Sequence, residues 1–117
     1  MNPSQLVPMD GYTQSFGTKQ ACVAELAGPS SYPTGGQEVE AASLGWGGFD
    51  AVAVMGLSYS GTYYAHVQYL PVDAAPSGQK PPVQSVKILW YVLATGAEVA
   101  NTTDIDGEIL RLFCIGV

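Results

Sequence analysis

Few residues in this sequence have the type and spacing to carry chemistry, and each has a plainer reading beside it. His66 is the sole histidine. It lies in Thr62-Tyr63-Tyr64-Ala65-His66-Val67-Gln68-Tyr69-Leu70 with no nearby cysteine, second histidine or Ser-His-Asp pattern. It therefore reads as an exposed strand residue rather than a general base or metal ligand. Asp104-Ile105-Asp106-Gly107-Glu108 sets three carboxylates around a glycine, as at the start of a calcium loop. The distal bidentate glutamate of such a loop is missing, which leaves a solvated turn or a weak divalent-cation site. Cys22 and Cys114 are too few and too far apart for a zinc spacing. They read as two small buried hydrophobes on the first and last strands of the domain, and whether they pair depends on a Cβ separation that sequence does not supply. Asn101-Thr102-Thr103 fits a glycosylation sequon, which has meaning only in a secreted chain. No glycine cluster follows a strand and opens a long helix, so nucleotide-binding signatures are absent. No carboxylate pair stands apart from ordinary turn residues as an acid and base. The expectation is a protein that is not an enzyme and takes no cofactor and no metal.

The residues suited to contact are better represented. Trp46, in Gly45-Trp46-Gly47-Gly48, has little local packing from its neighbours. It either plugs an open end of the fold or stands out as an interface anchor or a stacking platform for a sugar. Seven tyrosines, among them Tyr59, Tyr63, Tyr64 and Tyr69, offer large contact area at low entropic cost. Residues 1–17, punctuated by Pro3, Pro8, Gly11 and Gly17, show neither a helical nor a strand period. They read as an extended N-terminal arm whose Leu6, Val7, Met9, Tyr12 and Phe16 would prefer burial, either on its own domain or across a neighbouring subunit, the alternative being a frayed tail. The candidate interface residues are thus Leu6, Val7, Met9, Tyr12, Phe16, Trp46, Tyr59 and Tyr64.

Behind these residues stands a composition with few charges. Of 117 residues only 12% are charged and 47% are hydrophobic, against about one-quarter charged in ordinary soluble domains. Such a chain makes one domain, and a surface this poor in charge favours a permanent interface. Ten acidic against four basic residues give a net charge of −6. That balance opposes binding to a nucleic-acid backbone, which needs clustered Lys and Arg. Met1-Asn2-Pro3-Ser4-Gln5 has no basic start and no apolar stretch follows it, so no secretory leader is expected. Nor is there an apolar run of about 18 residues to span a bilayer.

The elements that must position the candidates read as β. In residues 18–27, Gln20, Cys22, Ala24 and Leu26 alternate with a more polar set and should face inward. Gly28 to Gly36 is a dense turn signal. Glu38 to Leu44 makes a short strand and a single helical turn closed by Gly45. Phe49–Tyr59 and Thr62–Leu70, joined at Ser60-Gly61, predict a β-hairpin. Its first strand, apolar on both faces, should be central in its sheet, and its second half-wet, with Tyr63, Ala65, Val67 and Tyr69 on one face. Pro71 to Pro82 should be an exposed loop. Val83–Leu93 resumes a strand with Val86, Ile88, Trp90 and Val92 on one face. Thr95-Gly96 is a turn, residues 98–103 contain a short edge strand, and residues 108–117 close the domain with Leu110, Leu112 and Cys114 inward. Residues 18–117 are therefore a single all-β domain, an antiparallel β-sandwich or a small jelly-roll-like barrel.

Several phrases in this frame carry a resemblance. Ala27-Gly28-Pro29-Ser30-Ser31-Tyr32, Thr34-Gly35-Gly36, Ala41-Ala42-Ser43-Leu44-Gly45 and Gly96-Ala97-Glu98-Val99-Ala100-Asn101-Thr102-Thr103-Asp104 resemble the small all-β structural proteins of tailed bacteriophages, in particular the capsid decoration, or cement, group. The likeness spans about residues 16–117 and rests on turn spacing and short phrases. It implies a virion protein on the outer capsid surface that bridges major capsid proteins as a homo-oligomer, commonly a trimer, made in the host cytoplasm and without catalytic residues. The acidic charge suits the outside of a shell better than its DNA-lined interior. A phage tail or baseplate protein, and a carbohydrate-binding β-sandwich module using Trp46 and the tyrosines as a stacking face, are the rival readings.

Overall fold

The computed structural model describes residues 6–9, 14–69 and 83–117. They form two antiparallel sheets that enclose one apolar core, an all-β sandwich. The strands are β1 (Val7–Pro8), β2 (Gln14–Phe16), β3 (Lys19–Ala27), β4 (Gln37–Glu40), β5 (Phe49–Val54), β6 (Tyr63–Tyr69), β7 (Ser85–Val92) and β8 (Ile109–Gly116). Sheet I runs β1-β3-β8-β5, with β2 also on β3, and sheet II runs β4-β7-β6. Alternation places the core where it was expected: Cys22, Ala24 and Leu26 of β3, Val86, Ile88 and Trp90 of β7, and Leu110, Leu112 and Cys114 of β8 are buried. Ala41–Leu44 is a single 3-10 turn closed by Gly45.

The described part of the N-terminal segment is built into sheet I. Val7 and Pro8 pair with Glu25 and Ala24, and Gln14, Ser15 and Phe16 pair with Ala21, Gln20 and Lys19. β2 and β3 form a two-residue hairpin through Gly17-Thr18, where Gly17 takes the positive φ of 62° that the first position of a II′ turn requires. Pro8 fits because of its register. The Gly28 N–H bond to Glu108 O, at 2.9 Å, marks a hydrogen-bonded pair in the β3–β8 register, and counting back makes Ala24–Leu112 another. Ala24 thus turns no backbone group toward β1, and the missing N–H of Pro8 costs no ladder bond.

Two expectations for residues 49–70 are corrected. The turn at Ser60-Gly61 is present, with Gly61 N bonded to Ser58 O at 2.8 Å, but the strands on either side do not pair with each other. β5 pairs with β8 in sheet I and β6 with β7 in sheet II, so the connection is an arch between sheets rather than a hairpin within one. Nor is β5 central: it is the edge of sheet I. Its apolar outer edge is covered across the corner instead. The Tyr69 hydroxyl accepts from Val52 N at 3.0 Å and donates to Val52 O at 3.3 Å. Phe49 and Val83 exchange backbone bonds of 2.7 and 3.0 Å. The short strand expected in residues 98–103 reduces to one bridge, Tyr91–Glu98. The loop expected over residues 71–82 lies outside the described residues.

A buried polar chain ties the loops to this frame. The Trp90 indole N–H donates to Gln37 Oε1 at 2.8 Å, and Gln37 Nε2 donates to Ala27 O at 3.0 Å. The Tyr32 hydroxyl accepts the Trp90 backbone N–H at 3.2 Å and donates to Glu98 Oε2 at 2.7 Å. Burial, and then the bond to Glu98, push the Tyr32 ionisation well above the ordinary tyrosine range, so this hydroxyl remains a donor. Tyr32→Phe strands the Trp90 N–H and should lower stability by about 1–3 kcal/mol in urea unfolding near neutral pH. Because the folded-state ionisation is raised, that contribution is whole below the unfolded tyrosine value of about 10 and declines above it. The gap between wild type and variant should therefore narrow at alkaline pH; a gap that is absent, or that widens there, would contradict the role of the hydroxyl.

Candidate functional site

The residues with potential chemistry do not converge. His66 is exposed on the outer face of sheet II, edge-on to Tyr64 and Tyr91 with centroid distances of 5.6 and 5.2 Å. In the acidic turn, the Asp106 N–H bonds Asp104 Oδ1 at 3.0 Å, while Glu108 is drawn away to accept from Ser60 Oγ at 2.6 Å. The Asp104 side chain, by a hydrogen bond to the Asp106 carboxyl and then by its charge, raises that carboxyl above its ordinary range. Among the described residues no three His, Cys, Asp or Glu side chains are grouped so that they could hold a metal ion. Cys22 and Cys114 face each other in the core as free thiols. Burial pushes both up, Cys114 to about 12. Among the described residues no helix is long and apolar enough to cross a membrane.

The contact candidates separate by face. Leu6 is buried in the core, with its N–H on Ser43 Oγ at 3.2 Å. Trp46 is 5% exposed and edge-on to Phe49 at 6.2 Å. It packs over Gly116, where a Cβ would meet the indole at 2.7 Å. Of its two readings, the structure holds the plug, and Trp46 offers no ring face to a ligand. Tyr12 lies outside the described residues, as does the side chain of Phe16. Tyr64 is half-buried and stacked on Tyr91 at 5.3 Å.

The remaining candidates, Val7, Met9 and Tyr59, meet on the outer face of sheet I. Register generates this face in rows, because directly opposed residues share a side of the sheet. Val7, Glu25 and Arg111 make one row, with Met55 N bonded to Arg111 O at its end. Val23, Phe113 and Ala53 make the next, and Ala21, Ile115 and Ala51 the third. The central rows are wholly apolar. Val7, Met55 and Phe113 are 60%, 48% and 38% exposed. A depression of about 330 Å³ opens beside Met55, lined also by Met9, Gln14, Ala21, Cys22, Val23 and Arg111.

Polar groups frame this surface at both ends. At one end Tyr59 donates to Glu25, accepts from Arg111 Nε at 3.0 Å, and lies under the guanidinium carbon at 5.4 Å from the ring centroid. At the other, Lys19 Nζ meets Asp50 Oδ2 at 2.8 Å. Asp50 is there because the β5 register slips by one residue between Phe49 and Ala51, which bulges Asp50 out and keeps both Phe49 and Val52 in the core. Met55 and Phe113, both exposed on this face, are not among the candidates the sequence singles out. The signal was available in the alternation of β8, where Phe113 falls on the side opposite Leu112 and Cys114.

Because Met55 and Phe113 lie on the outer face and outside the buried core, removing them should cost little stability. Met55→Thr with Phe113→Thr, which introduces β-branched side chains suited to a strand, should move unfolding by about 1 kcal/mol or less while lowering fluorescence of a bound hydrophobic dye. A loss of several kcal/mol would instead make them part of the packed interior. Comparison with known protein families, with curated proteins and with solved structures returns no match for this chain.

Proposed function

We propose that this chain is a non-enzymatic structural protein that acts through the outer face of sheet I, as a phage capsid decoration protein. It docks on the exterior of the shell, bridges neighbouring major capsid proteins and assembles as a homo-oligomer, with a trimer the favoured form. The observation that carries the reading is the apolar surface of Val7, Val23, Met55 and Phe113, framed by Glu25–Tyr59–Arg111 and Lys19–Asp50. An apolar centre with a polar rim is the anatomy of a protein contact. Bridging a shell needs that and no reactive group. The likeness of residues 27–45 and 96–104 to decoration proteins supplies the specific partner, and the net charge of −6 suits an external position. A tail or baseplate role uses the same surface and differs only in location.

A carbohydrate-binding role has one observation in its favour, the Tyr64–His66–Tyr91 cluster on sheet II. It is the weaker reading. The two tyrosines lie nearly parallel, at 16°, and spend a ring face on each other, so little flat surface is left for a sugar.

Light scattering and co-sedimentation with capsids of the source particle test the proposal. The wild type should be oligomeric and should sediment with capsids, and Met55→Asp or Phe113→Asp should weaken capsid binding by about tenfold or more while circular dichroism stays unchanged. Folded variants that decorate capsids at wild-type affinity would overturn it. Glycan binding lost in Tyr64→Ala would favour the carbohydrate role.

A further inference from the structure

We propose that Cys22 and Cys114 form a reversible disulfide that locks β3 to β8, a thiol switch inside the sandwich. The two residues stand directly opposite each other in an unbroken register of eight pairs from Gln20–Gly116 to Ala27–Ile109. Both side chains face the core and both are free thiols. No other cysteine is present to compete.

The register also sets the character of the bond. Counting from the Gly28–Glu108 hydrogen bond makes Cys22–Cys114 a hydrogen-bonded pair. Such pairs hold their Cα atoms about 5.5 Å apart, within the disulfide range of about 4.4–6.8 Å, so closure needs no large strand movement. Opposed Cβ atoms in a sheet sit about 4.5–5.5 Å apart, whereas a relaxed disulfide draws them to about 3.8 Å. The ladder on both sides of β8 resists that contraction. A bond formed here is strained and correspondingly easy to reduce, the property of a switch rather than of a permanent clamp.

The fold also provides an approach. On the outer edge of β3, β1 covers Ala24 and Glu25 and β2 covers residues 19–21. Cys22 and Val23 are among the residues lining the depression on the outer face, and Cys22 is 7% exposed where Cys114 is wholly buried. Cys22 is therefore the thiol that meets a small-molecule disulfide first. Its thiolate attacks one sulfur of the oxidant, forming a mixed disulfide and releasing one molecule of thiol. Cys114, deprotonated in turn, attacks the Cys22 sulfur and expels the second thiol. The protein loses two protons and two electrons, and the oxidant is reduced to two thiols. Burial of both sulfurs makes the exchange slow and dependent on local opening of the β3 edge.

The test incubates the full chain, folded, in a series of oxidised-to-reduced glutathione ratios, with acid quenching, alkylation and intact-mass measurement. The expected product is a monomeric chain lighter by two hydrogens, with both cysteines protected from alkylation and both recovered in dithiothreitol. Cys114→Ala should stop at one glutathione adduct on Cys22, and Cys22→Ala should not react while folded. Should either variant fail to fold, the wild-type mass series decides alone. Thiols that stay alkylatable at every ratio, a disulfide between chains, or a stable adduct on wild-type Cys22 would each overturn the proposal.

Discussion

Tyr32 places a fully buried hydroxyl where the middle strand of sheet II changes partners, and the closed end of the sandwich depends on it. β4 covers β7 as far as Ile88, and the segment around Val99 takes over at Trp90 O. Between these two partners the Trp90 N–H would face a gap in the ladder. The Tyr32 hydroxyl fills that position and hands its own proton to Glu98, while Glu98 also accepts from Gly35 N. The backbone of Tyr32 meanwhile bonds Thr103 O and receives Thr102 N. One side chain thereby joins the 28–36 loop, the 98–107 loop and β7. An unpaired buried group costs about 1–3 kcal/mol, a sizeable part of the roughly 5–15 kcal/mol that holds a domain folded.

With the interior satisfied in this way, the two outer faces are free to differ. On sheet II, Lys87 pairs with Glu38 and Gln68 in register, and the aromatic rings pack on each other. That face is self-contained. On sheet I the central rows are alanine, valine, isoleucine and phenylalanine, with Phe113 exposed, and the polar groups are spent at the margins. A chain with 12% charged residues has few charges to place, and their placement at the ends of one face leaves its middle apolar.

How much of this was legible follows from where periodicity survives. β3, β7 and β8 keep strict alternation, so their inward residues could be read directly from the sequence. β5 does not, because the bulge at Asp50 puts Phe49 and Val52 on the same side at a spacing of three, and the strand reads as apolar on both faces. The same local pattern around Ser60-Gly61 serves a hairpin or an arch equally well. What decides between them is the partner strand, β8 or β7, more than 20 residues further along the chain. β1 and β2, of two and three residues, are too short to show any period, and their pairing depends on β3. Trp46 was ambiguous for a related reason: its packing surface, Gly116, lies at the far end of the chain.

The mode of contact follows from how the sheet edges are treated. An exposed edge strand offers unpaired backbone groups to another chain, and an open edge would favour strand addition. Here β5 has Val52 satisfied by the Tyr69 hydroxyl and Phe49 by Val83. Edge strands β1, β2 and β4 are of two, three and four residues, too short to template a long ladder. Pro8, in a non-hydrogen-bonded position toward β3, turns a nitrogen without a proton outward. The seven-residue β6, the other edge of sheet II, is the exception; at the remaining edges a partner would gain little from backbone pairing and more from covering the rows of Val23, Phe113 and Ala53. Face-on docking of sheet I also needs no rearrangement of the ladder. The rigid network around Tyr32 and Trp90 lies in the opposite half of the sandwich and can hold its geometry while the outer face is engaged.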